Sequence, residues 1–357
     1  MAVSPRLRWG LLGSGGICND FAAGVVTSGG HIAAIGASSL SKAQALADKV
    51  QPEAKAYGSY EELVIDPNVD VVYVGTIHTL HLPHTKMALL AGKPVICEKP
   101  LAVNQREAEE MIDLARSKGL FLMEAMWTRF FPIYRKLREI LEGGKDIGIP
   151  RCVQADFGFV VDLDATHRLL DPALAGGAML DIGIYLVQLA TMIFGNVEPE
   201  MKCTAILSNE NVDQEGSLSL TWKDKGSASL LFTLRATTPE NTVIMGDQGF
   251  LRIHGPAHSP TRMTVSKKAP GSERGKFVEE EFNFPLPKLK AGLSVNYPAS
   301  EGMLYQVLAA EKCIQEGQLE CSEYTLDESL AVMKIMDSYR QQVGVIYPFE
   351  TSSCSVS

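Results

Sequence analysis

The stretch Leu7-Arg8-Trp9-Gly10-Leu11-Leu12-Gly13-Ser14-Gly15-Gly16-Ile17-Cys18 decides the fold. Leu7–Leu12 is an apolar run of strand length, and it enters a glycine turn directly. The turn reads Gly-x-Gly-x-x-Cys, one residue away from the dinucleotide fingerprint. Gly13 permits the tight turn, and Gly15 lets a pyrophosphate approach the backbone. A helix continuing to about Thr27 offers its N-terminal amides to that charge. Ser14, Gly16 and Ile17 complete the cofactor-binding loop. Cys18 stands where Gly or Ala would allow close helix–strand packing, and it is only slightly larger. The placement between strand and helix gives the motif its weight.

Working outward from this turn, apolar strands alternate with helical patterns as far as Glu124. Ile32–Ala37 reads as a strand and Ser41–Val50 as a helix. An extended piece at Ala54–Tyr57 precedes a helix capped by Ser59, with Glu62 completing a capping box. Val71–Gly75 is a fully apolar strand, His81–Ala91 a helix and Pro94–Cys97 a strand. Asn104–Lys118 is helical with Gly119 as its stop signal, and Leu120–Glu124 is the last strand. This alternation predicts a doubly wound parallel sheet covered on both faces, a Rossmann domain over residues 1–127.

Residues 128–357 read differently, as a second, α+β domain. Arg151–Phe159, Leu218–Trp222, Ala228–Leu234, Val243–Met245, Phe250–Ile253, Met263–Val265 and Phe277–Phe282 are strand candidates for one large, mostly antiparallel sheet. Gly255–Gly275, rich in Pro, Gly, Ser and Lys, reads as a loop. Helices are expected at Gly177–Phe194, Pro298–Gln315 and Leu326–Gln342.

Composition bounds the function. The 357 residues carry a formal charge of −9, with 46% apolar and 21% charged residues. An acidic balance argues against nucleic acid and anionic membrane as partners. Seven widely spaced cysteines without a C-x-x-C suggest neither a disulfide framework nor a thiolate zinc site. Gly176–Gly195 is apolar but holds Asp181 and Gln188, so it reads as a buried helix. With no apolar signal region, a cytoplasmic location is expected. Cys354-Ser355-Val356-Ser357 formally fits a prenylation signal, but no basic cluster precedes it, and no lipidation is expected.

Chemistry gathers at the carboxyl ends of the strands, where ligands of such sheets bind. Ala37-Ser38-Ser39 lacks the acid that holds a ribose 2′-hydroxyl. Ser38, Ser39 and Lys42 suit a 2′-phosphate instead, which favours NADP over NAD. Thr76-Ile77-His78-Thr79-Leu80-His81, with His84 beyond, has the look of metal spacing. No Cys or carboxylate completes a shell, and the cofactor-facing reading is preferred. Glu98-Lys99-Pro100 ends the fifth strand, and the Lys99 charge can polarise a reacting oxygen. In Gly176-Gly177-Ala178-Met179-Leu180-Asp181-Ile182-Gly183-Ile184-Tyr185, an acid and a phenol four residues apart share one helix face. Inside an apolar helix both need partners.

Together, the glycine turn, Thr76-x-x-x-x-His81, Ala91-Gly92-Lys93-Pro94-x-x-x-Glu98-Lys99-Pro100 and Gly176-Gly177-x-x-x-Asp181-x-Gly183-x-Tyr185 resemble the Gfo/Idh/MocA oxidoreductases. Within them, 56–63 and 119–132 are most similar to the trans-dihydrodiol and NADP-dependent D-xylose dehydrogenase subgroup. The resemblance implies Lys99 as the catalytic lysine. It also implies Tyr185 as acid/base, where many members carry histidine. Trp127, Arg129, Phe157 and Arg168 match subgroup positions near cofactor or substrate. Two departures are visible. The subgroup tends to have arginine at Ser38, and the family's usual Pro and Asn after Thr76 are Ile77 and His78.

The implied activity is hydride transfer to NADP from a CH–OH or CH–CH donor, a sugar or a trans-dihydrodiol. Tyr185 would take the hydroxyl proton, assisted by Lys99, while Asp181 would orient Lys99 or a substrate hydroxyl. Reduction of a sugar-like carbonyl by NADPH, or dinucleotide sensing without catalysis, are the alternatives. The resemblance also implies that residues 128–357 are a substrate-binding and dimerisation domain with an open-faced, mostly antiparallel β-sheet, through which a homodimer forms.

Overall fold

The computed structural model describes residues 6–162, 167–269 and 276–351. The residues around Cys354 and residues 270–275 lie outside them. The chain forms two compact units, Met1–Phe131 with Leu286–Leu326, and Pro132–Pro285 with Asp327–Ser357.

The first unit opens with β1 (Arg8–Leu12), α1 (Gly16–Thr27), β2 (His31–Gly36), α2 (Leu40–Val50), β3 (Lys55–Tyr57) and α3 (Tyr60–Val64). It continues with β4 (Val71–Val74), α4 (His81–Leu90), β5 (Val95–Glu98), α5 (Gln105–Lys118) and β6 (Leu122–Ala125). All six strands are parallel, in the order β3-β2-β1-β4-β5-β6. The order reverses between β2-β1 and β4-β5, and the glycine turn lies at the carboxyl end of β1, beside that reversal. Burial on both faces explains the apolar runs: Leu11, Leu12, Val71, Val72, Val95 and Ile96 are all fully buried. The caps read from sequence are present. Ser39 Oγ accepts from Lys42 N, Asn104 Oδ1 accepts from Glu107 N at 3.0 Å, and Gly119 closes α5 with φ +62°. At α3 the cap differs from the expected box. Ser59 Oγ accepts from Glu62 N, but it is Glu61 that takes the Ser59 hydroxyl.

The second unit holds α6 (Pro132–Gly143), β7 (Pro150–Gly158), α7 (Ile184–Phe194), β8 (Glu200–Leu207), β9 (Asp213–Trp222) and β10 (Gly226–Thr233). Four more strands follow: β11 (Thr242–Gly246), β12 (Gly249–Ile253), β13 (Arg262–Lys268) and β14 (Phe277–Asn283). They form one sheet in the order β14-β13-β12-β11-β7-β10-β9-β8. Every pair is antiparallel except β7–β10, which is parallel. In β9 and β10, Leu218, Leu220, Trp222, Ala228, Leu230 and Phe232 are buried, and α7 packs on β7 and β10. The alternate residues Ser219, Thr221, Ser229 and Leu231 are exposed, so one face of the sheet is open. Segment Leu286–Leu326 belongs to the first unit and carries α8 (Met303–Gln315). The chain continues through α9 (Leu326–Val343) and α10 (Pro348–Thr351).

Both expected sheets are present, with differences in detail. α6, β8 and α10 are elements the sequence reading left out. Within Gly255–Gly275, read as a loop, the expected strand at Met263–Val265 is present and longer, as β13. The span Gly177–Phe194 is not a uniform α-helix: Met179–Gly183 is a π-turn that leads into α7. The stretch Pro172–Phe194, apolar enough by length and composition to cross a membrane, is mostly buried inside the protein.

Candidate active site

Gly13 holds φ +122°, which only glycine adopts readily, and its N–H donates to Gly36 O at 2.8 Å. Around Gly15 an added Cβ would meet nothing within 4 Å. Gly15 is also the N-cap of α1, and it supplies no side-chain cap. No side chain caps the first turn of α1, so its amides are able to receive a phosphate. Cys18 fits through a compensating glycine. Its Sγ donates to Gly75 O at 3.2 Å, and a Cβ on Gly75 would stand 2.4 Å from that sulfur. Burial raises the Cys18 thiol well above its ordinary pKa, so it is a packing group rather than a nucleophile. These residues fit a bound dinucleotide.

At the end of β2, Lys42 Nζ donates to Ser38 Oγ at 3.3 Å, and Ser39 Oγ lies 3.1 Å from Ser41 Oγ. Ser38 and Lys42 are exposed. A compact pair of hydroxyl and ammonium at this strand end is able to hold a phosphate.

Beyond β4, His81 bridges backbone. Nδ1 lies 2.8 Å from Pro100 O, and Nε2 lies 3.1 Å from Thr76 O. Burial lowers its pKa to about 4, so the ring is neutral and donates to one of the two carbonyls. His84 Nδ1 meets Thr76 Oγ1 at 3.0 Å, and the His78 ring stands edge-on to His81. The His81 imidazole thereby ties the β4 and β5 ends together, and His84 fastens α4 to the β4 end. At the β5 end, Glu98 is 4% exposed. It accepts from Tyr73 Oη at 2.7 Å and from Lys99 N at 3.2 Å. Burial raises its pKa to about 7, against the opposing effects of the Tyr73 hydrogen bond and the Lys99 charge. After β6, Trp127 packs edge-on to Phe131, and the buried Arg129 guanidinium lies 4.7 Å from the Tyr324 ring centroid. Each of these residues belongs to the first unit.

The second unit gathers the remaining expected residues into two neighbouring sets. Arg168 Nη2 donates to Asp181 Oδ1 at 2.9 Å, an ion pair with Arg168 about half exposed and Asp181 mostly covered. Phe157 and Tyr185 stand at 5.6 Å and 67°. Asp181 sits in the π-turn and Tyr185 in the first turn of α7, so the wider π-turn modifies the single-face spacing expected of an α-helix. The π-turn is braced from behind. Gly177 takes φ +122°, and Asp213 Oδ2 accepts from Met179 N at 2.7 Å. Tyr347 Oη donates to Gly176 O at 2.8 Å. Burial raises the Asp213 carboxyl to about 6, while the Met179 amide favours its charged form.

Sequence reasoning missed His258. Its ring stacks on Phe157 at 5.3 Å and 13°, and stands 6.1 Å from Tyr185. Glu240 fixes its turn by accepting from Ala257 N at 2.9 Å. His258 sits in the stretch read as loop, where periodicity carries no signal. Only Gly255-Pro256 marked a tight turn there. Among the described residues, no group of three His, Cys, Asp or Glu side chains could hold a metal ion.

Comparison with known proteins supports this fold. Residues 7–126 match the sequence model of the oxidoreductase family with NAD-binding Rossmann fold, and residues 134–252 match the GFO/IDH/MocA C-terminal domain. A trans-1,2-dihydrobenzene-1,2-diol dehydrogenase from Xenopus tropicalis is 38% identical over 345 residues, covering 96% of this chain and 99% of its own length. That of Mus musculus is 38% identical over 347 residues, with 96% and 98% covered. Among solved structures, a 3-ketoreductase from Actinomadura kijaniata with NADP and TDP-benzene is 23% identical with a TM-score of 0.78, covering 95% and 98%. A levoglucosan dehydrogenase with NADH and levoglucosan is 19% identical at 0.82, with the same coverage. At those identities the likeness is one of fold. With the Rossmann sheet, the glycine turn and matches to both domain models, this chain belongs to the Gfo/Idh/MocA family of NAD(P)-binding oxidoreductases.

Proposed function

We propose that the protein is an NADP-dependent dehydrogenase that oxidises a hydroxyl-bearing carbon of a sugar or trans-dihydrodiol. The observation that carries this reading is the clustering in the second unit. A phenol, Tyr185, stands among the rings of Phe157 and His258, and the Asp181–Arg168 pair lies in the turn just before it. Aromatic rings suit the apolar face of a sugar or cyclohexadiene, and the ion pair suits its hydroxyls. When bound, the nicotinamide supplies the hydride acceptor. Tyr185 takes the hydroxyl proton as the C–H bond breaks and the carbonyl forms. Lys99 stabilises the negative charge that develops on the substrate oxygen during this step. Ser38 and Lys42 hold the 2′-phosphate, which sets NADP above NAD. Glu98, His78, His81, Trp127 and Arg129 shape the rest of the cofactor site. The subunits pair as a homodimer through the open face of the second sheet.

NADP and NAD reduction, followed with a panel of aldoses and trans-diols, tests the proposal. Turnover with NADP is expected for at least one member. Lys99→Met and Tyr185→Phe are each expected to lower kcat by about 100-fold or more, with NADP affinity nearly intact. Either variant turning over at the parent rate would overturn the assignment. NADPH oxidation by sugar-like ketones, without NADP reduction by any alcohol, would reverse the direction.

A further inference from the structure

The glycine turn holds one glycine more than the fingerprint asks for. Gly13 is fixed by its φ and Gly15 by the open space around it, but Gly16 has an ordinary helical backbone in the first turn of α1. What restricts Gly16 comes from far along the chain. A Cβ there would stand 3.2 Å from the Tyr297 ring, 3.4 Å from its hydroxyl and 3.5 Å from the Asn296 Cβ. Asn296 Nδ2 also donates to Gly16 O at 3.1 Å. The Tyr297 ring therefore overlies the first turn of α1, the end at which an anion is received.

This placement is anchored by a buried carboxylate. Asp20, fully buried on α1, uses both oxygens. Oδ1 accepts from Asn296 N at 2.7 Å and Asn296 Nδ2 at 2.8 Å, and Oδ2 accepts from Tyr297 N at 2.9 Å. Asn19 Nδ2 adds a bond to Ser294 O at 2.9 Å, and Lys290 N donates to Thr27 Oγ1 at 3.1 Å. Charge-assisted bonds to backbone amides hold residues 294–297 firmly against the helix. Tyr297 nevertheless keeps 49% of its surface exposed. A tyrosine pinned by its backbone, with half its surface uncovered beside an uncapped helix start, is arranged to be covered by a ligand.

We propose that Tyr297 is a dinucleotide-contacting residue whose ring and hydroxyl form a wall over the pyrophosphate and its adjoining ribose. Asp20 and Asn296 act as its positioning residues. The proposal rests on the reading that the glycine turn binds a nicotinamide dinucleotide, and it deepens that reading. The ring supplies contact area, and the hydroxyl is able to donate to a ribose or phosphate oxygen. This also accounts for Gly16, since a Cβ there would press on the ring, which would have to give by a few tenths of an ångström.

The test is calorimetric titration of the cofactor-free full-length protein with NADP and NADPH. Unfolding midpoints measured without ligand monitor the fold of each variant. Tyr297→Ala changes an exposed side chain, so its midpoint is expected to match the parent. Its Kd is expected to rise about fivefold to tenfold. Asp20→Asn is expected to weaken binding as well, and to lower the midpoint. If Tyr297→Ala binds within twofold of the parent, the proposal falls while the dinucleotide reading stands. If the parent binds neither NADP(H) nor NAD(H), the reading of the turn falls and takes the proposal with it.

Discussion

At the scale of single residues, burial decides what each group in the first unit can do. Cys18 and Gly75 form a matched pair, in which the space a third fingerprint glycine would leave on one side is supplied from the other. Glu98 is the clearest titrating group. Its folded pKa of about 7 lies above its ordinary value, so the native state keeps a proton that the unfolded chain releases. The stability it contributes is therefore fully present below about pH 4 and lost as pH rises through 7. Glu98→Gln keeps the acceptor for Tyr73 and removes the charge. Urea unfolding of cofactor-free parent and variant is expected to show the parent losing about 3 kcal/mol relative to the variant between pH 4 and 8. A difference independent of pH would mean that Glu98 ionises freely. His81, held neutral with a pKa lowered to about 4, has the opposite sign: its contribution is present above its ordinary pKa and lost on acidification. It is common to both proteins and cancels.

At the scale of elements, the π-turn that carries Asp181 is the feature with most at stake. It is held by a glycine in a left-handed conformation and by one buried carboxylate. A Cβ on Gly177 would come 2.3 Å from Asp213 Oδ1, at a φ that L side chains rarely adopt. Gly177→Ala is expected to lower unfolding free energy by about 2–4 kcal/mol, read from denaturant midpoints. An unchanged midpoint would mean that the turn adapts freely. The same element marks how far sequence reasoning reaches. Apolar runs and caps made the six parallel strands legible, because burial on both faces and local hydrogen bonds leave a signature in neighbouring residues. Gly177 and Asp181 were legible as a motif. The brace was not, because Asp213 and Tyr347 lie far off in sequence and nothing local announces the contact. β8 escaped for another reason. Its residues alternate between exposed and half-buried, so the polarity contrast that marks a strand is weak. His258 escaped because stacking on Phe157 depends on the register of a sheet, which one sequence does not display.

At the scale of the whole molecule, the open face of the second sheet is where the proposed homodimer would form. Leu231 is exposed on it, among Ser219, Thr221 and Ser229. Sedimentation is expected to give the mass of two chains for the parent and of one for Leu231→Asp, because a buried unpaired charge disfavours association. A dimer that survives this change would have to use another surface. The first unit poses a different question, one of timing. Its α1 meets α8 closely enough that a Cβ on Gly24 would stand 3.1 Å from Leu304 N. The Trp9 indole N–H donates to Glu311 across 302 residues of sequence. On the ribosome, residues up to Phe131 emerge well before Leu286–Leu326. At bacterial or eukaryotic elongation rates that interval is on the order of ten seconds or more. Through it, the nascent nucleotide-binding sheet waits with one flank of its first helix bare, a natural target for chaperones. The unit that translation begins first cannot be completed until most of the second has been made.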